Sequence, residues 1–197
     1  MRKIFFLGLT VSLLLVVLVS CKHANTPKPA GYIRVDYPEK KYQTFSNQSP
    51  YTLRYPLYAA MQPDSDKNAQ PYWYNLHFTS LNATVHLTYK KIDHNNLAKF
   101  CEDAYSLAYK HAVKADAINE VEINDSKRKV YGLIYEIKGN AASPLQFYLT
   151  DSVNNFIRGS LYFHSKPNKD SLAPIIAFVR TDIDTLIQSL NWKNIRK

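Results

Sequence analysis

Near the end of the chain, Leu172, Ile175, Ile176, Val179, Ile183, Leu186, Ile187 and Leu190 recur at three- and four-residue intervals. That spacing is one face of a helix, and a stripe this apolar must be buried against another element. Asp170 or Ser171 can cap the helix, with Pro174 in its first turn. Arg180, Asp182, Asp184 and Gln188 fall mostly outside the stripe and read as its solvated side. Leu97, Phe100, Cys101, Ala104, Ala108 and His111 form a second stripe, predicting a helix from a cap at Asp93 or Asn96 to about Lys114. Alternating runs predict strands at 51–56, 72–79, 83–89, 129–138, 146–150 and 156–163, with residues 59–70 as loop and Lys127-Arg128-Lys129 as a turn. In the strand at 156–163 both alternate sets are bulky, so both of its faces are expected to be covered. The order β-β-β-α-β-β-β-α, with hairpin-length connections, implies a mainly antiparallel sheet packed by two amphipathic helices. The class is α+β, in one domain over residues 50–197.

The other end is built differently. Arg2 and Lys3 precede an apolar run over residues 4–19. Its 16 residues fall short of the roughly 20 that span a bilayer core. Charge followed by a short apolar run is the order of a secretory signal peptide, here residues 1–20. Leu18-Val19-Ser20-Cys21 resembles the lipobox of bacterial lipoproteins. The resemblance implies cleavage before Cys21 and fatty acyl chains, palmitate among them, on its thiol and new amine. Those chains are the expected link to the membrane. Residues 22–31 are polar, carry two prolines and reach at most roughly 35 Å when extended. Residues 32–47 are rich in aromatics and read as an arm lying on the domain, so 21–49 is tether plus arm.

Loss of the signal leaves 177 of the 197 residues, enough for one domain and too few for a two-lobed solute-binding protein. Arg2 and Lys3 leave with it, lowering the net charge from +9 to +7. An exported chain does not meet nucleic acid, so the basic balance points to lipid headgroups, a protein partner or plain solubility.

The remaining chemistry is sparse. With Cys21 committed to lipid, Cys101 has no intramolecular partner and sits on an apolar stripe, which reads as core. His23, His77, His86, His94, His111 and His164 show no metal-ligand spacing, although His77 and His86 can face each other across a hairpin. No metal or cofactor is expected. The segment Gly139-Asn140-Ala141-Ala142-Ser143 is unusually small; it is either a binding loop, through Gly139, Asn140 and Ser143, or a tight turn. Ser143 has no evident base, and Glu136, Asp182 and Asp184 do not form a catalytic carboxylate pair. Tyr72, Trp73 and Tyr74 suit core and partner contact equally. No catalytic residue is assigned and no small-molecule substrate is expected.

Several segments then occur in order: the lipobox, Tyr-Pro-Glu-Lys-Lys-Tyr (37–42), Leu-Thr-Tyr-Lys (87–90) and Lys-Ala-Asp (114–116), followed by Tyr-Gly-Leu-Ile-Tyr-Glu-Ile-Lys-Gly-Asn-Ala-Ala-Ser (131–143), Gln-Phe-Tyr-Leu-Thr-Asp-Ser (146–152), Gly-Ser-Leu-Tyr-Phe (159–163) and Asn-Trp (191–192). As a set they resemble the gliding-motility lipoprotein GldD family of Bacteroidetes. The resemblance implies a cell-envelope lipoprotein required for gliding and associated with type IX secretion, with Cys21 as the acylation site and no catalytic residues. At fold level the order of elements is similar to the Mog1/PsbP-like sandwich, whose members bind proteins. The tether lacks the acidic cluster that resembles a surface-export signal in these bacteria. A body facing the periplasm is therefore expected; Lys22 is not the aspartate that retains lipoproteins in the inner membrane of some other bacteria, which favours the outer membrane. The resulting expectation is a non-catalytic anchored component that binds envelope proteins. The rival is an envelope hydrolase or glycan-binding lipoprotein acting on the cell wall, which requires Ser143, a histidine and a carboxylate to converge.

Overall fold

The computed structural model describes residues 36–93 and 95–193; the signal segment, Cys21, the tether and His94 lie outside them. The elements are β1 (Tyr42–Phe45), β2 (Tyr51–Pro56), β3 (Ala60–Pro63), β4 (Tyr74–Phe78), β5 (Ala83–Lys91), α1 (Leu97–Tyr109), β6 (Ala115–Asp125), β7 (Val130–Gly139), β8 (Leu145–Thr150), β9 (Asn155–Phe163), α2 (Lys169–Ser189) and β10 (Asn191–Trp192). Seven strands form one antiparallel sheet in the order β3-β4-β5-β9-β8-β7-β6, and β1-β2-β10 form a second. The α+β reading holds.

Each amphipathic stripe selects one face of the large sheet. The inner face carries Val85, Leu87, Phe147, Leu149, Ile157 and Leu161; α2 buries Val179, Ile183, Leu186 and Ile187 in the same cluster. Each such side chain contributes about 1.5–3 kcal/mol on burial. Gly159 is required here: a Cβ on it would lie 2.1 Å from Cζ of Phe147, whose ring crosses β9 at that point. The small sheet covers the rest of the inner face through Tyr51 and Leu53, with Phe45 edge-on to Tyr74 at 4.8 Å. On the opposite face, α1 packs Ala104 and Ala108 over Tyr148, Phe156, Tyr135 and Ile137.

α2 is tied down along its length. Asn168, rather than Asp170 or Ser171, is its cap, accepting from the Ser171 N–H at 3.2 Å. At the other end Arg128 donates from Nη1 to the carbonyls of Leu190 (3.0 Å) and of Ile187 (3.3 Å), the latter shared with the Leu190 N–H. Asp125 holds that guanidinium in place at 2.8 Å, in the turn expected around residues 127–129. Arg180 pairs with Glu136 of β7 and with Asp184.

Asp182 is not on a solvated side. It is 1% exposed, and its carboxylate accepts from Lys40 Nζ (2.7 Å), the Tyr42 hydroxyl (2.8 Å) and the Tyr58 hydroxyl. α2 therefore has two covered sides, the sheet on one and the arm on the other. Tyr37 stacks on Phe178 at 4.3 Å, and Lys40 Nζ sits 3.7 Å from the same ring. Burial and the anionic partner both push the Tyr58 hydroxyl pKa well up, so it remains a donor. Helical spacing marks only the apolar side; the second side is closed by charge pairing, which leaves no periodic trace.

Other departures have similar causes. β6 was not expected, because Asp116, Asn119, Glu120, Glu122 and Asn124 break its apolar alternation. It is an edge strand, exposed along most of its length, and charge suits an edge that must not pair further. β1 and β3 are four-residue strands, too short to show a period. α1 ends at Tyr109, before a single 3-10 turn at Ala112–Lys114.

Replacing Lys40 by Ala leaves the Asp182 carboxylate buried without its cation. Breaking a buried pair typically costs about 3–5 kcal/mol; Lys40 is 28% exposed, so the expected loss is about 2 kcal/mol. A urea midpoint should fall accordingly, and Asp182→Asn in the Lys40→Ala background should recover part of it. An unchanged midpoint in Lys40→Ala contradicts the latch.

Candidate functional site

α1 covers only part of the outer sheet face, over β7, β8 and the start of β9. Beyond it the period of two that points Val85, Leu87, Ile157 and Leu161 inward points a polar set outward. Strand register assembles that set. Asn75 on β4 lies beside His86 on β5, His86 beside Ser160 on β9, and Ser160 beside Gln146 on β8. The next rows bring His77, Thr84 and Tyr162 together on one side, and Thr88 with Arg158 on the other. His164 follows β9 and reaches the same face through Thr84.

The contacts are specific. Thr84 is fully buried, with its hydroxyl 3.1 Å from His77 Nδ1 and 2.8 Å from His164 Nε2. A hydroxyl has one proton, so in a saturated pair one ring nitrogen donates and the other accepts. His86 Nδ1 lies 2.7 Å from Asn75 Oδ1, and its ring meets Tyr162 edge-on at 5.7 Å. Arg158 donates from Nη2 to Gln146 Oε1. The Arg158 Nε and Gln146 Nε2 groups are both sealed from solvent and bonded to nothing among the described residues. Burial holds the imidazoles of His86 and His111 below the usual histidine pKa; at His86 the Asp64 carboxylate opposes it, and the Arg158 charge acts with it at both.

This surface suits binding better than bond-making. The Thr84 hydroxyl is enclosed between two imidazoles, with no carboxylate among its partners. Among the described residues, no three His, Cys, Asp or Glu side chains are arranged to hold a metal ion. His77 and His86 do share a face, but register places them diagonally, opposite Thr84 and Asn75.

The small-residue segment lies elsewhere, at the joint between the β7–β8 connection and α2. Gly139 has φ +105°, and a Cβ there would lie 2.7 Å from the Asp116 nitrogen. Asn140 Oδ1 accepts the Lys169 N–H at 2.9 Å, one of the free donors at the start of α2. Ser143 is fully buried, and its hydroxyl donates to the Leu145 carbonyl at 3.4 Å. The adjoining cavity, bordered by Ala142, Pro144, Phe163 and Leu172, measures about 10 Å³, room for about one water. Asn140 is thus tied to the helix start, Gly139 packs against the backbone at the start of β6, and Ser143 is enclosed at the start of β8; none of the three is bonded to the histidines. Tyr72, Trp73 and Tyr74 also turn inward: the Trp73 indole donates to the Tyr89 carbonyl at 2.8 Å, and the Tyr74 hydroxyl accepts from Asn47 at 2.6 Å. Cys101, on α1, is half-buried against the sheet, where burial raises its thiol pKa against an opposing hydrogen bond from Tyr148.

Arg158, Gln146, Thr84 and His164 were not singled out by sequence reasoning. The available signal was the polar set Arg158, Ser160 and Tyr162 within a strand whose alternate residues are apolar. Its β5 partners lie some 70 residues away and Gln146 lies on the neighbouring hairpin strand, so only register reveals the cluster.

The depressed His86 and His111 pKa values fix the sign of a pH effect. Between the folded values and the unfolded value near 6.5, the unfolded chain binds more protons, so stability falls as pH drops through that window. Urea midpoints should decrease between about pH 7 and pH 5, and His86→Gln should flatten part of that slope. A slope unchanged by His86→Gln contradicts the assignment.

Known proteins support both architecture and family. The fold is similar to the solution structure of cyanobacterial PsbP (CyanoP) from Synechocystis sp. PCC 6803, with a TM-score of 0.52, 14% identity, and coverage of 89% of this chain and 99% of that one. At that identity the likeness establishes a PsbP-like fold alone. No curated protein sequence matches the chain. Among the described residues no helix is long and apolar enough to cross a membrane. The profile of the family described as gliding motility lipoprotein GldD matches residues 22–192, and the chain belongs to that family.

Proposed function

We propose that the chain is a non-catalytic, lipid-anchored adaptor of the gliding apparatus that works with the type IX secretion machinery. In this reading acyl chains on Cys21 hold it at the envelope, on the outer membrane and facing the periplasm. Its task is to hold an envelope protein on the outer face of β4, β5 and β9. Family membership supports the gliding role and the lipoprotein character. The observation that carries the binding role is the partly exposed polar set of Asn75, His86, Tyr162 and Arg158 on three adjacent rows, on the face opposite α2 and the docked arm. A hydrolase built on Ser143 draws no support from this geometry, because that hydroxyl is enclosed and bonded to a backbone carbonyl.

Tyr162→Ser tests the reading, since Tyr162 is partly exposed and its hydroxyl makes no hydrogen bond among the described residues. The variant should accumulate normally, remain in the membrane fraction and keep its thermal midpoint within a few degrees, yet colonies should cease to spread. Wild-type spreading by cells carrying Tyr162→Ser together with His86→Gln contradicts the proposal.

A further inference from the structure

We propose that Arg158 is the centre of an anion site that receives a single carboxylate from an acidic segment of a protein partner. The inference rests on the adaptor reading and names the chemistry of its contact.

The arginines make the first argument. Arg128 and Arg180 have side chains 23% and 20% exposed, and each holds a carboxylate: Asp125 for the former, Glu136 and Asp184 for the latter. Arg158 is also half-buried, yet among the described residues its charge meets no carboxylate; its bonded partner is the neutral Gln146 amide. A guanidinium withdrawn from water without a counter-charge is costly and strongly favours an incoming anion.

The second argument is independent of charge. Gln146 is 1% exposed and its Nε2 has no acceptor, and the neighbouring Arg158 Nε is likewise unused. Two buried N–H donors on adjacent strands therefore lack an acceptor. An unmade buried hydrogen bond costs about 1–3 kcal/mol, and a carboxylate, with its two oxygens, can accept from the guanidinium in two places. The nearby imidazoles of His86 and His111 are held neutral by burial, so they do not compete as cations.

The third argument concerns the source of the anion. A surface that binds bilayer headgroups presents several protruding cations and apolar anchors. This face offers one recessed guanidinium among half-buried polar groups, and Lys90 lies over the Phe100 ring at 4.9 Å. A discrete side chain reaching inward fits better than a plane of phosphates. Admission requires the side-chain layer over Arg158 to part by the width of one oxygen.

The test titrates the full-length protein, held in neutral phosphatidylcholine nanodiscs, with glutarate and with its uncharged isostere glutaramide. NMR follows the Arg158 Nε–H and Gln146 side-chain amide resonances. Glutarate should shift both saturably and glutaramide should not, and Arg158→Gln and Arg158→Lys should each weaken glutarate binding at least tenfold. Equal shifts with the two ligands, no shift with glutarate, or full affinity in Arg158→Gln overturns the proposal; the wild-type comparison decides even if a variant misfolds. Nanodiscs containing phosphatidylglycerol form the second arm. Headgroup-induced shifts at Arg158 without a glutarate response assign the site to lipid and overturn the protein carboxylate. If glutarate fails while Tyr162→Ser still abolishes gliding, the adaptor reading stands and the anion site alone is lost.

Discussion

A single buried carboxylate, Asp182, fixes how this protein is put together. It sits on α2 at 1% exposure and is met by Lys40, Tyr42 and Tyr58, all from the segment before β3. Burying a charge is unfavourable unless cations and donors converge on it. The arm is therefore a structural part of the domain: it supplies the cation, the Tyr42 hydroxyl and the aromatic cover for Phe178, while Tyr58 adds its hydroxyl from the β2–β3 turn. The same helix is held at its start by Asn140 and at its end by Arg128. Three polar contacts from distant parts of the chain thus position one apolar stripe on the sheet.

That construction gives the two sheet faces different roles. The inner face is fully occupied by α2 and by the small sheet that carries the arm. The outer face is divided. α1 closes the β7–β8 side with aromatic packing, while the β4, β5 and β9 side retains histidines, hydroxyls and Arg158, which is bonded to Gln146 at the start of β8. Polar groups confined to one open region of a sheet, some without internal partners, mark where a protein gives up stability for contact.

Much of the architecture was legible in the sequence because burial leaves a period. The stripe through Leu172 and Leu190 gave α2, and alternation through Val85, Leu87 and Tyr89 gave β5. Where exposure or charge governs, no period remains. The acidic edge strand β6 shows no alternation to mark it, and Asp182 looked solvated. The candidate site was less legible still. Gly139, Asn140 and Ser143 stood out by composition, yet Asn140 ties down the start of α2 and Ser143 is enclosed, whereas Arg158 and Gln146 are unremarkable until β8 and β9 are aligned. Composition cannot reveal an unmet donor; only the final packing does.

The central claim is that partners meet the outer face of β4, β5 and β9, while the α2 side serves the arm. Site-specific photocrosslinkers decide it most directly, placed in living cells at Thr88 on the outer face and at Thr181 and Gln188 on the exposed side of α2. The account predicts one discrete crosslinked adduct from Thr88 and none from the α2 positions. A discrete adduct from Thr181 or Gln188, with none from Thr88, would contradict it.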